Sequence, residues 1–450
     1  MPIRRPALLA AATVAALLAS TAATATAHAA DGAKGPKLKG QRVGYFTSWG
    51  ADSSAKRVQE SGQAGRLTVI NYAFGNASAE GTCFESDEPG QGDAYNDYQR
   101  AFSAADSVDG VADAPGQALK GHFNQLRKLK AQNPQLKVVI SLGGWSWSKY
   151  FSDAAATDEA RKKFVSSCID LYMKGDVPQL AGSPEGGAGA AAGVFDGIDV
   201  DWEYPGGGGD AGNVVRAEDG RNFTLLMAEF RKQLDGLAAE RAEAAGKGKG
   251  KKPEHYLLTA AVAANETVAD RLELPELATS VDWLNLMTYD LHGPWEGKGP
   301  TNHHSPLYSD PTDPDARQRS ADKAVDHYAQ RGLPSQQTVL GTPFYGHGWT
   351  GVPAGSRSGL YQKATGTVPD LTYGELNALP GATTYVDRDH GASWKYDGTT
   401  FYSFDSAEVL TEKGRYARWN DLAGVMVWSL DGDDAQGSAM AALDKGLRGK

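Results

Sequence analysis

Residues 195–206 read FDGIDVDWEYPG. Side chains on a β-strand alternate between two faces, so Asp199, Asp201 and Glu203 are expected on one side and Ile198, Val200 and Trp202 on the other. Neighbours two apart on a face are separated by roughly 6.6 Å of backbone. Like charges at that spacing cannot all stay ionised in a poorly hydrated site, so at least one carboxyl is expected to hold a proton near neutral pH. A carboxyl kept protonated there is what a general acid requires. A solvated acidic edge strand would explain D-x-D-x-E alone. Here the opposite face is apolar and Tyr204, Pro205 and Gly206 follow, which places the acids where a buried strand leaves its sheet.

Aromatic residues recur at the ends of other apolar runs. The first run gives Tyr45, followed by Trp49; the second ends at Phe74. The third continues through Gly143 and Gly144, a glycine pair that lets backbone approach closely, to Trp145 and Trp147. Later runs carry Met287-Thr288-Tyr289-Asp290 with Trp295 beyond, then Phe344-Tyr345, then Trp428. Flat indole rings bind the C–H faces of sugars without holding a charge, so Trp145, Trp295 and Trp428 are the first candidates for stacking on an oligosaccharide. Trp283 and Trp419 are assigned to the core.

These residues need a scaffold that brings many strand ends together. Apolar, β-branched runs at 42–46, 67–74, 136–143, 194–202, 256–263, 281–289, 338–344 and 424–430 alternate with helical patterns, the clearest at 117–132, 158–173, 220–245, 316–331 and 406–419. Eight β/α repeats predict an α/β fold, a (β/α)8 TIM barrel, with chemistry at the C-terminal ends of its strands. Residues 76–115 form a long excursion after the second strand, and 182–193, 206–212 and 246–253 read as flexible loops. Residues 348–403 carry LTYGEL, TTYVD, WKYDG and TTFYSFD, read as short aromatic strands of a small α+β insertion between the seventh and eighth strands. No appended repeat or binding module is evident, so one catalytic domain over 31–450 is expected.

The 450 residues carry a net charge of -10, and the one basic block, residues 247–252, reads as a loop, so a nucleic-acid partner is not expected. Arg4 and Arg5, an apolar stretch over 7–19 and Ala27-His28-Ala29 have the layout of a secretory signal peptide over 1–30. A secreted, extracellular protein without membrane attachment follows as the expectation, and a monomer is expected. Cys83 and Cys168 could pair in an oxidising compartment or remain two buried thiols. The nine histidines show no ligand spacing, so neither a metal nor another cofactor is expected.

The run Asp196, Asp199, Asp201, Glu203 resembles the D-x-x-D-x-D-x-E signature of glycoside hydrolase family 18 chitinases of bacterial type. INYAF, SLGGW, MTYDLHGPWEG, PFYG and GVMVWSLDGDD resemble that family's landmarks in order, over nearly the whole mature chain. The resemblance implies a chitinase acting on chitin and chito-oligosaccharides. It makes Glu203 the proton donor and gives Asp201 the orientation of the substrate's acetamido group, with Asp199 sharing a proton with Asp201. It further implies that Tyr289 bonds the acetamido oxygen, that Asp290 supports the site, and that Trp428 forms the floor under the reacting sugar. Tyr45, Phe74, Gly144, Trp145, Met287, Trp295 and Tyr345 complete the expected substrate contacts. Asp196 is out of phase and is given a structural role.

One departure stands out. The family often has arginine after PFYG, where this chain has His347, whose charge is expected to change with pH in the physiological range. Two rival readings are a non-catalytic carbohydrate-binding barrel and an endo-β-N-acetylglucosaminidase acting on N-glycans. The retained Glu203 argues against the first, and the aromatic series with the insertion argues against the second.

Overall fold

The computed structural model describes residues 40–50, 54–246 and 253–449. The proposed signal peptide and the basic block at 247–252 lie outside the described residues.

Eight parallel strands close into a barrel: Gln41–Thr47, Val69–Ala77, Lys137–Gly143, Gly197–Asp201, Leu257–Ala263, Trp283–Met287, Thr338–Pro343 and Gly424–Trp428. Closure is direct, since the first strand pairs in parallel with both the second and the eighth. Every expected strand is present, with ends shifted by the loops that carry side chains into the mouth: Tyr289 and Asp290, for example, lie beyond the sixth strand. Helices Gly121–Gln132, Asp158–Cys168, Asp219–Ala244, Ala321–Gln330 and Ala407–Trp419 surround the barrel. Phe164, Leu226, Phe230 and Tyr328 on these helices are fully buried, so the core lies between the helical ring and the strands. No helix among the described residues is long and apolar enough to cross a membrane.

A second, antiparallel sheet follows the seventh strand, in the order Gly366–Thr372, Tyr345–Thr350, Phe401–Phe404, Ala392–Tyr396, Thr383–Asp387. It has its own small core around Trp349, Leu360 and Phe401. Of its four aromatic segments, LTYGEL is not a strand: only its start pairs, and Thr372 and Glu375 form a capping box that begins the helix Tyr373–Ala378. Trp283 is buried as expected. Trp419 is not, being 65% exposed at the last position of its helix with the Arg418 guanidinium over its ring, because the helix turns that position away from the strands. Cys83 and Cys168 are joined in a disulfide that ties the excursion after the second strand to the helix Asp158–Cys168.

Candidate active site

Strand alternation sorts the fourth strand as its sequence predicts. Ile198, Val200 and Trp202 face the helices, where the Trp202 ring stacks on Phe151 with centroids 5.6 Å apart. Asp199 points into the barrel, and its neighbours in register on the adjoining strands are Ser141 and Thr259. Both donate their hydroxyls to its carboxylate, joined by the Tyr45 hydroxyl at 2.8 Å and the Asn285 amide at 3.2 Å. Burial pushes the Asp199 pKa up and these four bonds pull it part of the way back. Asp199 is therefore a satisfied acid beneath the site, while Asp201 and Glu203 line the cleft above it.

Asp201 is buried, and its Oδ1 has no hydrogen-bond partner in the protein. Burial, then the charges of Glu203 and Asp199, hold its pKa well above the usual carboxylate range. Glu203 lies just past the strand end. Its backbone N–H donates to Ser148 Oγ at 2.8 Å, its carbonyl accepts from the Asn213 amide at 2.8 Å, and the Ser148 hydroxyl reaches the Asp201 carbonyl at 3.1 Å. Burial raises the Glu203 pKa to about 7; the Tyr204 hydroxyl opposes the rise and the Asp290 charge adds to it. The proton expected from spacing alone thus has a place on this pair near neutral pH.

The cleft, about 850 Å³, is lined by Tyr45, Trp49, Phe74, Trp145, Trp147, Met287, Tyr289, Asp290, Trp295, Tyr345 and Trp428 among others. Phe74 stacks on Trp428 with centroids 5.7 Å apart and on Trp49 at 5.9 Å. Trp145 and Trp295 are 52% and 61% exposed, open platforms rather than core. Gly143, at φ 106°, lines the cleft where a Cβ would strike the Asp201 carbonyl. Gly144, at φ 73°, makes room for Phe74, whose ring a Cβ there would meet at 2.6 Å. The lining also includes Tyr204, directly after Glu203 in the acidic stretch, and Asn265, Val268 and Arg319, which no sequence motif marks.

Asp290 joins the barrel rim to the second sheet. Its Oδ1 accepts from the Tyr345 hydroxyl at 2.5 Å and lies 2.8 Å from His347 Nε2; His347 Nδ1 is 2.8 Å from Asp370. The protein packed around Asp290 would raise its pKa, but His304 and His347 beside it hold it below the usual carboxylate range. For His347, burial disfavours the charge and the two carboxylates more than offset that, raising its pKa to about 9. The imidazole therefore stays charged through the physiological range, contrary to the expectation from its residue type. Asp370 and His304, which set this environment, carry no sequence signal. Asp196 lies at the far end of its strand, accepting from the Val138 N–H at 2.8 Å and pairing with Lys130 at 2.7 Å.

Comparison with known proteins agrees with this arrangement. The chain is 35% identical over 406 residues to Chitinase C of Streptomyces lividans and 36% identical over 454 residues to Chitinase A1 of Niallia circulans, covering 88% and 91% of this chain. It spans 58% of the length of each of those relatives. The catalytic domain of psychrophilic chitinase B from Arthrobacter TAD20 superposes with a TM-score of 0.84 at 41% identity, covering 92% of this chain and 96% of that one. Residues 41–433 match the model of glycosyl hydrolases family 18, and the chain belongs to that family.

Proposed function

We propose that the chain is a secreted chitinase that hydrolyses β-1,4 linkages between N-acetylglucosamine units by a retaining, substrate-assisted route, with Glu203 as proton donor. The observation that carries this reading is the pairing of a carboxyl poised near neutrality, Glu203, with a buried neighbour, Asp201, whose pKa burial and the adjacent acids hold above the usual range and whose Oδ1 lacks a partner in the protein. Two-carboxylate retaining enzymes flank the bond with an acid and a nucleophile about 5–5.5 Å apart, and family 18 is among the exceptions. Asp201 and Glu203 leave one strand on one side, so they cannot flank a bond. Asp290, the third acid in the lining, is tied to Tyr345 and His347.

The attacking atom on this reading is the acetamido oxygen of the sugar in the site. Glu203 protonates the leaving oxygen as that carbonyl attacks the anomeric carbon, giving an oxazolinium ion. Asp201 accepts a hydrogen bond from the acetamido N–H and Tyr289 donates to its oxygen, which orients the amide and stabilises its positive charge. Trp428 carries the sugar ring. Glu203, now ionised, takes a proton from the water that opens the oxazolinium, and configuration at the anomeric carbon is retained. Asp199 shares a proton with Asp201 from below. The aromatic walls suit a linear polymer of acetylated sugars and no cofactor is required.

The test is reducing-sugar release from colloidal chitin. Wild type releases sugar; Glu203→Gln loses nearly all turnover while still binding chito-oligosaccharide. Substantial hydrolysis by the variant would assign the proton to another residue.

A further inference from the structure

Beyond the reacting acids, the rim of the cleft holds a cluster of one carboxylate and two imidazoles, of which Asp290 also lines the cleft. Asp290, His304 and His347 each offer one ligand atom, and the atoms lie within 4.8 Å of one another. They are separated widely in sequence, which is why no ligand spacing shows in the chain. Asp290 Oδ1 stands 2.8 Å from His347 Nε2 and 3.8 Å from His304 Nδ1. Ligand atoms around a four-coordinate ion with bonds of roughly 2.0–2.1 Å are about 3.3 Å apart, and the two distances bracket that spacing.

Two further observations point to a ligand. His304 is fully buried, yet neither ring nitrogen has a hydrogen-bond partner in the protein, an arrangement that costs stability unless something meets it. His347 is oriented as metal-bound histidines are, with Nδ1 against the Asp370 carboxylate and Nε2 turned into the cluster. Asp290 also leaves about half of its side chain open to the cleft, a path by which an ion can enter.

We propose that Asp290, His304 and His347 form a binding site for a divalent transition cation of the zinc or cobalt type, at the junction of barrel and second sheet. Two imidazoles with one carboxylate select such an ion over magnesium or calcium, which prefer oxygen ligands. The entering ion replaces the proton that His347 holds against Asp290, and that proton leaves to solvent. The site shares Asp290 with the proposed catalytic cleft, but its occupancy does not depend on what the cleft hydrolyses. A second cluster, Asp310, Asp387 and His390, already holds a cation, because the Arg357 guanidinium pairs with both carboxylates at 2.8 and 3.0 Å.

Cobalt(II) titration of the purified, chelator-treated chain, read by visible absorption, tests the site without requiring turnover. The wild type and His390→Ala are expected to develop the ligand-field bands of a four- or five-coordinate ion at one equivalent. His304→Ala, and His347→Arg as a second variant that keeps a cation between the two carboxylates, are expected to leave the cobalt spectrum as it is in buffer. A wild-type spectrum unchanged from buffer overturns the site, as do bands that survive in both cluster variants or vanish in His390→Ala. Failure here leaves the chitinase reading standing, and loss of that reading in the chitin assay leaves the cobalt result unaffected.

Discussion

The Ser148 hydroxyl oxygen accepts the backbone N–H of Glu203 at 2.8 Å. Ser148 itself is fully buried, and its hydroxyl also approaches the carbonyls of Gly144 at 2.8 Å and Asp201 at 3.1 Å. One side chain on the loop after the third strand thus fixes the backbone on which both cleft acids ride.

Ser148→Ala is therefore expected to act on turnover more than on binding. It leaves the buried Glu203 N–H without a partner, a cost of about 1–3 kcal/mol. If about 1.4 kcal/mol of that reaches the transition state, kcat falls about tenfold. KM should change little, because the aromatic walls are untouched. Steady-state kinetics on a defined chito-oligosaccharide check this; a change confined to KM would separate Ser148 from Glu203.

The acid must hold its proton to work, and burial places the Glu203 pKa at about 7. Activity is thus expected to fall as pH rises through that region, with an apparent value belonging to the Asp201–Glu203 pair. Tyr204 lowers the Glu203 pKa by hydrogen bonding to its carboxylate. Tyr204→Phe should accordingly move the alkaline limb of kcat/KM upward. An unmoved or lowered limb would show that Tyr204 does not stabilise the ionised form.

A second buried acid pair governs stability rather than catalysis. Glu85 and Asp97 are buried residues of the excursion after the second strand, with Tyr172 donating to Glu85 at 2.8 Å and Tyr72 donating to Asp97. Burial raises Glu85 from 4.5 to about 7, and burial with the Glu85 charge raises Asp97 well above its ordinary range. The folded chain then binds more protons than the unfolded chain over that interval, so stability falls as pH rises through it. Thermal midpoints measured from about pH 5 to about pH 8 should decline in wild type and decline less in Glu85→Gln. Equal slopes would mean that another group carries the dependence.

Much of the barrel was legible because its signals are local. Alternation fixed the sides of Val200 and Asp201, and the β-branched runs marked all eight strands. The cleft was legible where a strand end carries an aromatic, as at Tyr45, Phe74, Tyr289 and Trp428. What escaped was set by tertiary neighbours. The charge of His347 depends on Asp370 from an insertion strand. The sequence assigns Trp419 to the core because it ends a helix, but the face of a helix end is decided by what packs beside it. LTYGEL reads as strand by composition until the capping box of Thr372 and Glu375 intervenes.

The most direct measurement is the configuration of the first product, followed by proton NMR as wild-type chain hydrolyses a chitin hexamer. Attack by the sugar's own amide on the face opposite the leaving group, followed by water on the face the leaving group vacated, predicts that the β-anomer appears first and the α-anomer only later by mutarotation. The α-anomer appearing first would contradict the oxazolinium route and with it the roles given to Asp201 and Glu203.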